Sequence, residues 1–194
     1  MKTRIKNIAD RTLHKGWATL SEIYFDYKMS AGNWVTKKRE SYNRGDGATI
    51  LLYNKQKETV ILVKQFRVSA YLNECESGFV IETCAGMLDK DNPEVCVIKE
   101  VEEETGYRVK NIEKVFEAYS SPGALTEKLH YFVAEYTNEM KVNEGGGLES
   151  EQEDIEVLEM SFQSALKAVD TGEIKDAKTI ILLQYTQINN LFKK

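Results

Sequence analysis

The sequence predicts an α/β fold in which helices cover both faces of a mixed sheet. From residue 46 onward, strand-like segments are interleaved with two helix-like segments, an order that is typical of this architecture. The first 45 residues contain instead two aromatic and highly charged strand-like segments. We therefore predict a small N-terminal antiparallel β element at residues 1–45 and a main domain at residues 46–194.

The N-terminal element is predicted to contain two strands, Trp17 to Met29 and Asn33 to Gly45, joined by the turn "SAG". Both segments are rich in aromatic and β-branched residues, although they alternate poorly between apolar and polar positions. Two such strands bury little surface by themselves, so they need a partner surface. A second subunit is one candidate for that partner.

Five strands are predicted in the main domain. Their sequences are "GATILLYN", "ETVILVKQFR", "GFVIETCAG", "LTEKLHYFVAEY" and "IEVLEM". A central helix follows the third strand. The acidic loop "NEGGGLESEQED" precedes the last strand, and one C-terminal helix follows it.

The central helix is predicted from about Pro93 to Thr105. Asn92 is a suitable N-cap, proline is favoured in the first turn, and Gly106 suits the residue after the helix, where a positive φ is common. At a period of 3.6 residues, the buried stripe consists of Val97, Ile98 and Val101.

Three glutamates of this helix, Glu100, Glu103 and Glu104, share neighbouring faces at spacings i, i+3 and i+4. Like charges at the negative end of a helix dipole are unfavourable by a few tenths to about 1 kcal/mol each. A divalent cation among the carboxylates would remove that cost, and oxygen ligands without histidine or thiolate favour Mg²⁺ or Mn²⁺ over Zn²⁺. The alternative is an acidic helix face that simply meets water.

The composition argues against several classes of protein. A net charge of −5 lacks the basic excess of general nucleic-acid and membrane-surface binders. No run of 18 apolar residues is present. The three cysteines, Cys75, Cys84 and Cys96, show no C-x-x-C spacing, which favours a reducing compartment. We expect a soluble cytoplasmic protein.

The segment from Gly86 to Tyr107 resembles the Nudix box, G-x5-E-x7-R-E-U-x-E-E-x-G-U, in which U is a bulky aliphatic or aromatic residue. The matching residues are Gly86, Glu100, Val101, Glu103, Glu104, Gly106 and Tyr107. The interval from Gly86 to Gly106 is one residue shorter than the consensus, and Lys99 replaces the consensus arginine. The early glutamate is missing, with Asp91 or Asn92 nearby.

Nearly the whole chain is similar to one Nudix subfamily, the GDP-mannose pyrophosphatases. The similar segments include "KKRE", "VKQFRV", "ESGFVIETCAG", "SPGALTE" and "TGEIKDAKT". The resemblance implies a Nudix α/β/α sandwich, a homodimer, and Mg²⁺-dependent hydrolysis of GDP-mannose. Alternatives are an ADP-ribose or ADP-sugar pyrophosphatase with the same metal site, and a catalytically silent Nudix domain that senses nucleotides.

The resemblance also implies a metal site. The Ala85 carbonyl and the carboxylates of Glu100 and Glu104 would hold Mg²⁺, together with a loop carboxylate. Glu153 is the first choice for that loop residue and for the catalytic base, and Glu151 is the competing loop residue. Glu103 would complete the acidic cluster and is the second choice for the base.

Substrate contacts are implied at further positions. Arg67 would pair with phosphate, and Gly86 and Met87 would let the backbone approach it. Nucleotide-sugar contacts are implied for Trp17, Lys38, Arg39, Glu40, Glu127, Gln152 and Lys178, with residues 38–40 supplied by the partner subunit. Plainer interpretations remain open: a surface charge at Arg67, a solvated strand edge at residues 37–39, and subunit packing at Trp17.

Overall fold

The computed structural model describes residues 3–73, 75–88 and 92–193. The chain divides into two compact units, one formed by Met1–Asp46 with Ala118–Leu129 and the other by Gly47–Glu117 with His130–Lys194. Among the described residues, no helix is both long and apolar enough to cross a membrane.

The first unit contains a three-stranded antiparallel sheet. Its strands are β1 (Ile5–Lys15), β2 (Thr19–Lys28) and β3 (Trp34–Asn43), in the order β1-β2-β3. The predicted hairpin is β2 and β3, which pair without interruption from Thr19 opposite Asn43 to Lys28 opposite Trp34.

Sequence reasoning missed β1, which is exposed along its whole length. A strand without a buried face carries no alternating hydrophobic pattern, so periodicity does not detect it. Its register against β2 shifts twice, and Asn7 at the first shift has a positive φ of 53°. Backbone pairing and exposed contacts, such as Lys6 over the Trp34 ring at 4.2 Å, hold this strand in place.

The second unit is built on a seven-stranded sheet with the path β10-β5-β4-β9-β8. These strands are β4 (Gly47–Asn54), β5 (Thr59–Phe66), β8 (Glu113–Tyr119), β9 (Lys128–Glu135) and β10 (Glu156–Ser161). Two shorter strands, β6 (Phe79–Glu82) and β7 (Cys84–Met87), pair with β5 and β4.

One predicted strand, "GFVIETCAG", is therefore two strands. The chain leaves the β5 ladder after Glu82 and joins the β4 ladder at Cys84. Thr83 marks the change, and its N–H donates to Thr179 Oγ1 at 2.7 Å instead of to a neighbouring strand. The residues on both sides of the break are strand-like and no glycine or proline separates them, so the sequence alone does not reveal it.

Strand β4 explains why the sheet is covered on both faces. Its Ala48, Ile50 and Leu52 belong to the hydrophobic core that also contains Val97 and Val101 of the central helix. The alternate residue Thr49 is buried on the other face, where its hydroxyl lies 2.9 Å from that of Thr83. Every residue of β4 is buried, which confirms the predicted sandwich.

In the described part of the chain, four α-helices accompany this sheet, one after β5, one in the centre of the chain and two near its C-terminus. A short helix α1 (Val68–Tyr71) comes after β5, and the central helix α2 starts at Pro93. The single predicted C-terminal helix is wrong: two helices, α3 (Phe162–Thr171) and α4 (Ala177–Ile188), flank a Gly172 that has a φ of 77°. Glycine tolerates this conformation, which ends α3 and lets the chain turn.

Candidate active site

The acidic helix has an α-helical part, Pro93–Glu100, and a π-helical turn, Val101–Thr105. Asn92 Oδ1 accepts the Val95 N–H at 2.8 Å, and Gly106 ends the helix with a φ of 76°, so both predicted boundaries are confirmed. The prediction of a regular α-helix is wrong for the last turn. There the Thr105 hydroxyl donates to the Val101 carbonyl and competes with the α-helical bond.

The end of this helix is bonded to the acidic loop. Gly146 N–H donates to the Glu104 carbonyl at 2.9 Å, and Gly147 N–H donates to the Glu103 carbonyl at 3.0 Å. A Cβ at Gly145 would lie 2.5 Å from the Glu104 carbonyl oxygen. The glycine run therefore satisfies carbonyls that a helix end leaves unpaired, and it brings the loop beside the glutamates.

The glutamates at the helix end have different partners. Glu102 accepts two bonds from the Arg108 guanidinium, at 2.8 and 2.6 Å, and is thereby held outside the cluster. The Lys99 ammonium lies 3.6 Å from Glu103. The charge of Lys99, which replaces the consensus arginine, lowers the pKa of Glu100, but the ion pair of Lys99 is with Glu103.

Glu104 is a buried carboxyl group with 2% of its surface exposed. Burial raises its pKa to about 8, and the negative charges of Glu100 and Glu153 add to the rise. The Cys84 thiol and the Ala85 N–H, which lies 3.3 Å from Oε2, oppose it by hydrogen bonding. Such a group is poorly compensated without a cation.

Glu100 is the second perturbed carboxyl group. Burial raises its pKa to about 7, with further contributions from Glu103 and Glu153. Its side chain lies directly over Gly86: a Cβ there would be 2.0 Å from Glu100 Oε1. The first glycine of the motif is therefore required because the carboxylate occupies the space of a side chain.

The two loop glutamates differ in position. Glu153 Oε2 accepts the Leu148 N–H at 3.0 Å, and its charge raises the pKa of both Glu100 and Glu104. Glu151 is exposed and contributes only the weakest of the effects that raise the pKa of Glu100. Of the two loop glutamates, Glu153 therefore has the larger electrostatic effect on Glu100.

The backbone of Ala85 faces the same cluster. Its N–H is directed at Glu104, and in an extended strand the N–H and C=O of one residue face the same side. The Ala85 carbonyl therefore faces the acidic helix and not β4. Carbonyl and carboxylate oxygens are donors that suit Mg²⁺ and Mn²⁺.

These oxygen donors lie in one region of the structure, but their present geometry is not that of a metal-binding site. Within residues 3–73, 75–88 and 92–193, no three carboxylate, imidazole or thiol groups form a ready metal-binding group. Burial raises the pKa values of Glu100 and Glu104, and the repulsion between neighbouring carboxylates adds to the rise. A bound cation would reverse that repulsion, so the residues fit a divalent metal.

Two predicted substrate cations, Arg67 and Lys178, meet at Glu82. Arg67 donates to Glu82 Oε2 from Nε at 3.0 Å and from Nη2 at 2.6 Å. Lys178 Nζ lies 3.2 Å from Glu82 Oε1 and 3.0 Å from Asp176 Oδ1. Burial lowers the pKa of Arg67, but Glu82 outweighs it, and the charges of Glu104 and Asp176 also raise it.

Sequence reasoning missed Glu82 and Asp176. Both lie in segments similar to the family, "ESGFVIETCAG" and "TGEIKDAKT", but no local spacing connects either residue with Arg67. The carboxylate in the otherwise apolar strand "FVIE" is a signal that could have found Glu82, because buried carboxylates normally have cationic partners.

Five predicted residues lie in the first unit. Lys38 Nζ is 2.7 Å from the buried carboxylate of Glu22. Of the other four, Trp17 is 76% exposed, and Arg39 and Glu40 are exposed on β3. Glu127 is buried and forms an ion pair with Arg44.

The remaining predicted residues lie at the end of a strand, in the acidic loop or outside the described part. Met87 ends β7 and its carbonyl accepts the Cys96 thiol at 3.3 Å. Gln152 is exposed, with a φ of 58°, directly before Glu153. Asp91, which is near the position of the missing early glutamate, lies outside the described residues, and the neighbouring Asn92 is the helix cap.

Comparison with known proteins identifies two matching families. A model described as the GDP-mannose pyrophosphatase NudK N-terminal domain matches residues 4–42, and the NUDIX domain matches residues 43–183. The chain is also 51% identical over 191 residues to proteins named GDP-mannose pyrophosphatase from Shigella dysenteriae serotype 1 (strain Sd197) and Escherichia coli O157:H7. These alignments cover 98% of this chain and 99% of each relative.

Proposed function

The chain belongs to the NUDIX domain family, and on that premise we propose that it is a GDP-mannose pyrophosphatase, which hydrolyses GDP-mannose to GMP and mannose 1-phosphate. The observation that carries the proposal is the identity of 51% along nearly the full length of relatives with that name. The acidic cluster beside Gly86 supplies the chemistry that a pyrophosphatase needs.

The proposed metal is Mg²⁺, with Mn²⁺ as a substitute, held by the Ala85 carbonyl and by Glu100, Glu104 and Glu153. When bound, such a cation offsets the negative charge of the phosphate oxygens and lowers the pKa of a coordinated water. Glu103 completes the cluster beside Lys99.

The protein's own residues carry the other parts of the reaction. Glu153 accepts the proton of the attacking water, with Glu103 as the second candidate. Arg67 and Lys178 stabilise negative charge on the two phosphates. The Ala85–Met87 backbone and Gln152 also contact the substrate. Trp17 stacks on the base, and Glu127 contributes a polar contact.

Product assays with Mg²⁺ test the proposed substrate. GDP-mannose, ADP-ribose and ADP-glucose are compared at equal concentration, and GDP-mannose is expected to be hydrolysed with the highest kcat/KM. Preference for an ADP compound would keep the metal site and discard the guanine-sugar assignment. Binding of nucleotide sugars without hydrolysis of any of them would favour a sensor.

Exchange of each loop glutamate for glutamine tests the assignment of the base. Glu153→Gln is expected to lower kcat by roughly 100-fold or more, because a positioned general base contributes about 10²–10⁴-fold. Glu151→Gln is the matched control, since this side chain is exposed on the same loop, and its kcat is expected to stay within threefold. The reverse order would assign the role to Glu151.

We further propose a homodimer in which residues 38–40 of each chain reach the substrate bound by the other. The three-stranded sheet supports this, because large apolar side chains such as Ile8 and Trp34 are exposed on it. Residues 1–45 would serve dimerisation and residues 46–194 catalysis, in a cytoplasmic enzyme that binds neither nucleic acid nor membranes. Cell fractionation tests the location.

Subunit complementation tests the shared site. Two variants that are inactive alone, Lys38→Met with Arg39→Met in one chain and Glu104→Gln in the other, are mixed after dissociation. Each mixed dimer has one intact site of two, and random reassociation makes about half of the dimers mixed, so the mixture is expected to regain up to about a quarter of wild-type activity. A mixture that stays inactive while mixed dimers form would refute the shared site.

A further inference from the structure

We propose that Glu82 is a positioning residue that holds Arg67 and Lys178 ready for the diphosphate of the substrate. This inference rests on the proposed function, since it deepens the role of two residues of that site. Glu82 is the last residue of β6, and only 7% of its side chain is exposed. Its carboxylate forms ion pairs with Arg67 and Lys178.

Arg67 is held by one edge of its guanidinium. Nε and Nη2 both donate to Glu82 Oε2, which fixes the plane of the group. No partner for Nη1 is found within the described part of the chain, and 43% of the side chain is exposed. The guanidinium therefore keeps donors for an anionic ligand while its orientation is fixed.

Lys178 is held from two sides. Its ammonium contacts Glu82 Oε1 at 3.2 Å and Asp176 Oδ1 at 3.0 Å, and only 12% of the side chain is exposed. An ammonium has three N–H donors, so one remains after these two contacts. A lysine is otherwise a flexible point charge, and these two carboxylates remove most of that freedom.

Hydrogen bonds of Thr179 connect Asp176 with Thr83, the residue that follows Glu82. Asp176 caps helix α4: its Oδ2 accepts from Thr179 N–H at 3.0 Å and from Thr179 Oγ1 at 2.6 Å. Thr179 Oγ1 in turn accepts the N–H of Thr83, the residue that follows Glu82. Thr83 and Thr179 are fully buried, so the end of β6 and the start of α4 form one rigid support.

The charges in this group balance. Glu82 and Asp176 carry two negative charges, and Arg67 and Lys178 carry two positive ones. Removing Glu82 would leave two cations with one carboxylate, and breaking a buried pair is costly mainly because an uncompensated charge remains. Both cations would then reorient toward water or Asp176, and the geometry that suits a diphosphate would be lost.

A mutant cycle separates positioning from a general effect on stability. Glu82→Gln, Arg67→Ala with Lys178→Ala, and the triple variant are compared by kcat and KM, with the nucleotide sugar that the wild type hydrolyses fastest. Glu82→Gln is expected to lower kcat/KM by roughly 10- to 100-fold, as loss of a supporting partner does elsewhere. In the chain that lacks both cations it should change kcat/KM by less than threefold.

Glu156→Gln is the matched control. Glu156 lies in the same sheet and pairs with Lys64 at 3.2 Å, and among the described residues no hydrogen bond or ion pair joins its side chain to a proposed site residue. It is expected to change kcat/KM by less than twofold. If Glu82→Gln lowers the melting temperature below the assay range, Glu82→Asp, which keeps the charge but has a shorter reach, replaces it in the same cycle.

The outcomes distinguish this inference from the proposed function. A Glu82 effect that persists in the chain lacking Arg67 and Lys178, or an effect no larger than that of Glu156→Gln, would overturn the positioning role. A wild type that prefers an ADP compound would overturn the proposed substrate and leave the cycle valid, because those compounds also carry a diphosphate. If the wild type hydrolyses none of them, the same cycle is run on calorimetric binding of GDP-mannose.

Discussion

Glu104→Gln is expected to lower kcat/KM for GDP-mannose by roughly 10³-fold and, in the presence of a chelator, to stabilise the fold. The loss of activity follows from the loss of a proposed metal ligand, because a catalytic cation contributes several kcal/mol of transition-state stabilisation. The gain in stability follows from burial, since only 2% of Glu104 is exposed.

The sign of the stability effect follows from the pKa values. The Glu104 carboxyl has a pKa of about 8 in the folded protein and 4.5 when unperturbed. Between these values the unfolded chain is ionised and the folded chain keeps its proton, so the folded state loses stability as pH rises from 4.5 to about 8. Glutamine does not titrate, so its advantage is complete above pH 8 and on the order of a few kcal/mol.

Thermal unfolding at pH 5 and pH 8.5 checks this prediction. Glu102→Gln is the control, because Glu102 is the adjacent residue of the same turn and pairs with Arg108 at the surface. It should leave activity within twofold and should not stabilise the protein. Activity of Glu104→Gln within tenfold of wild type would remove Glu104 from the metal site. Equal stability of Glu104→Gln and wild type at pH 8.5 would contradict the buried, poorly compensated carboxyl.

Gly86→Ala is expected to lower kcat/KM by about 100-fold while the fold is largely retained. The added methyl carbon would lie 2.0 Å from Oε1 and 2.2 Å from Cδ of Glu100, so the carboxylate must move away. Since the obstacle is the end of a side chain and not backbone, the cost in stability should be about 1–3 kcal/mol. Displacing one member of a preorganised electrostatic site typically costs 10²–10³-fold in rate.

Gly123→Ala is the control for this substitution, because no atom lies within 4 Å of a Cβ at that position. Glu100→Gln should reduce kcat/KM by a similar factor, and the double variant Gly86→Ala with Glu100→Gln should be little worse than either. Full multiplication of the two losses would mean that Gly86 acts on the substrate directly and not through Glu100.

Several features could be predicted from the sequence because they depend on local signals. The caps at Asn92 and Gly106 follow from backbone groups that a helix end leaves unpaired, and the apolar segments define the sheet. The acidic spacing located Glu100, Glu103 and Glu104, since those side chains are close in any helical conformation. The strand β1 and the break between β6 and β7 were not predicted, because neither has such a local signal.

The sequence by itself determined the family, the class of fold and the acidic residues, because these depend on short spacings and on long similarity. Only the tertiary structure decided which carboxylate is buried, which glycine makes room for Glu100, and which partners hold Arg67 and Lys178. Glu82 contacts Lys178 directly although 96 residues separate them in the chain, and the neighbouring hydrogen bond from Thr83 to Thr179 joins the same two elements. Burial and long-range pairing depend on residues distant in sequence, so no local pattern records them.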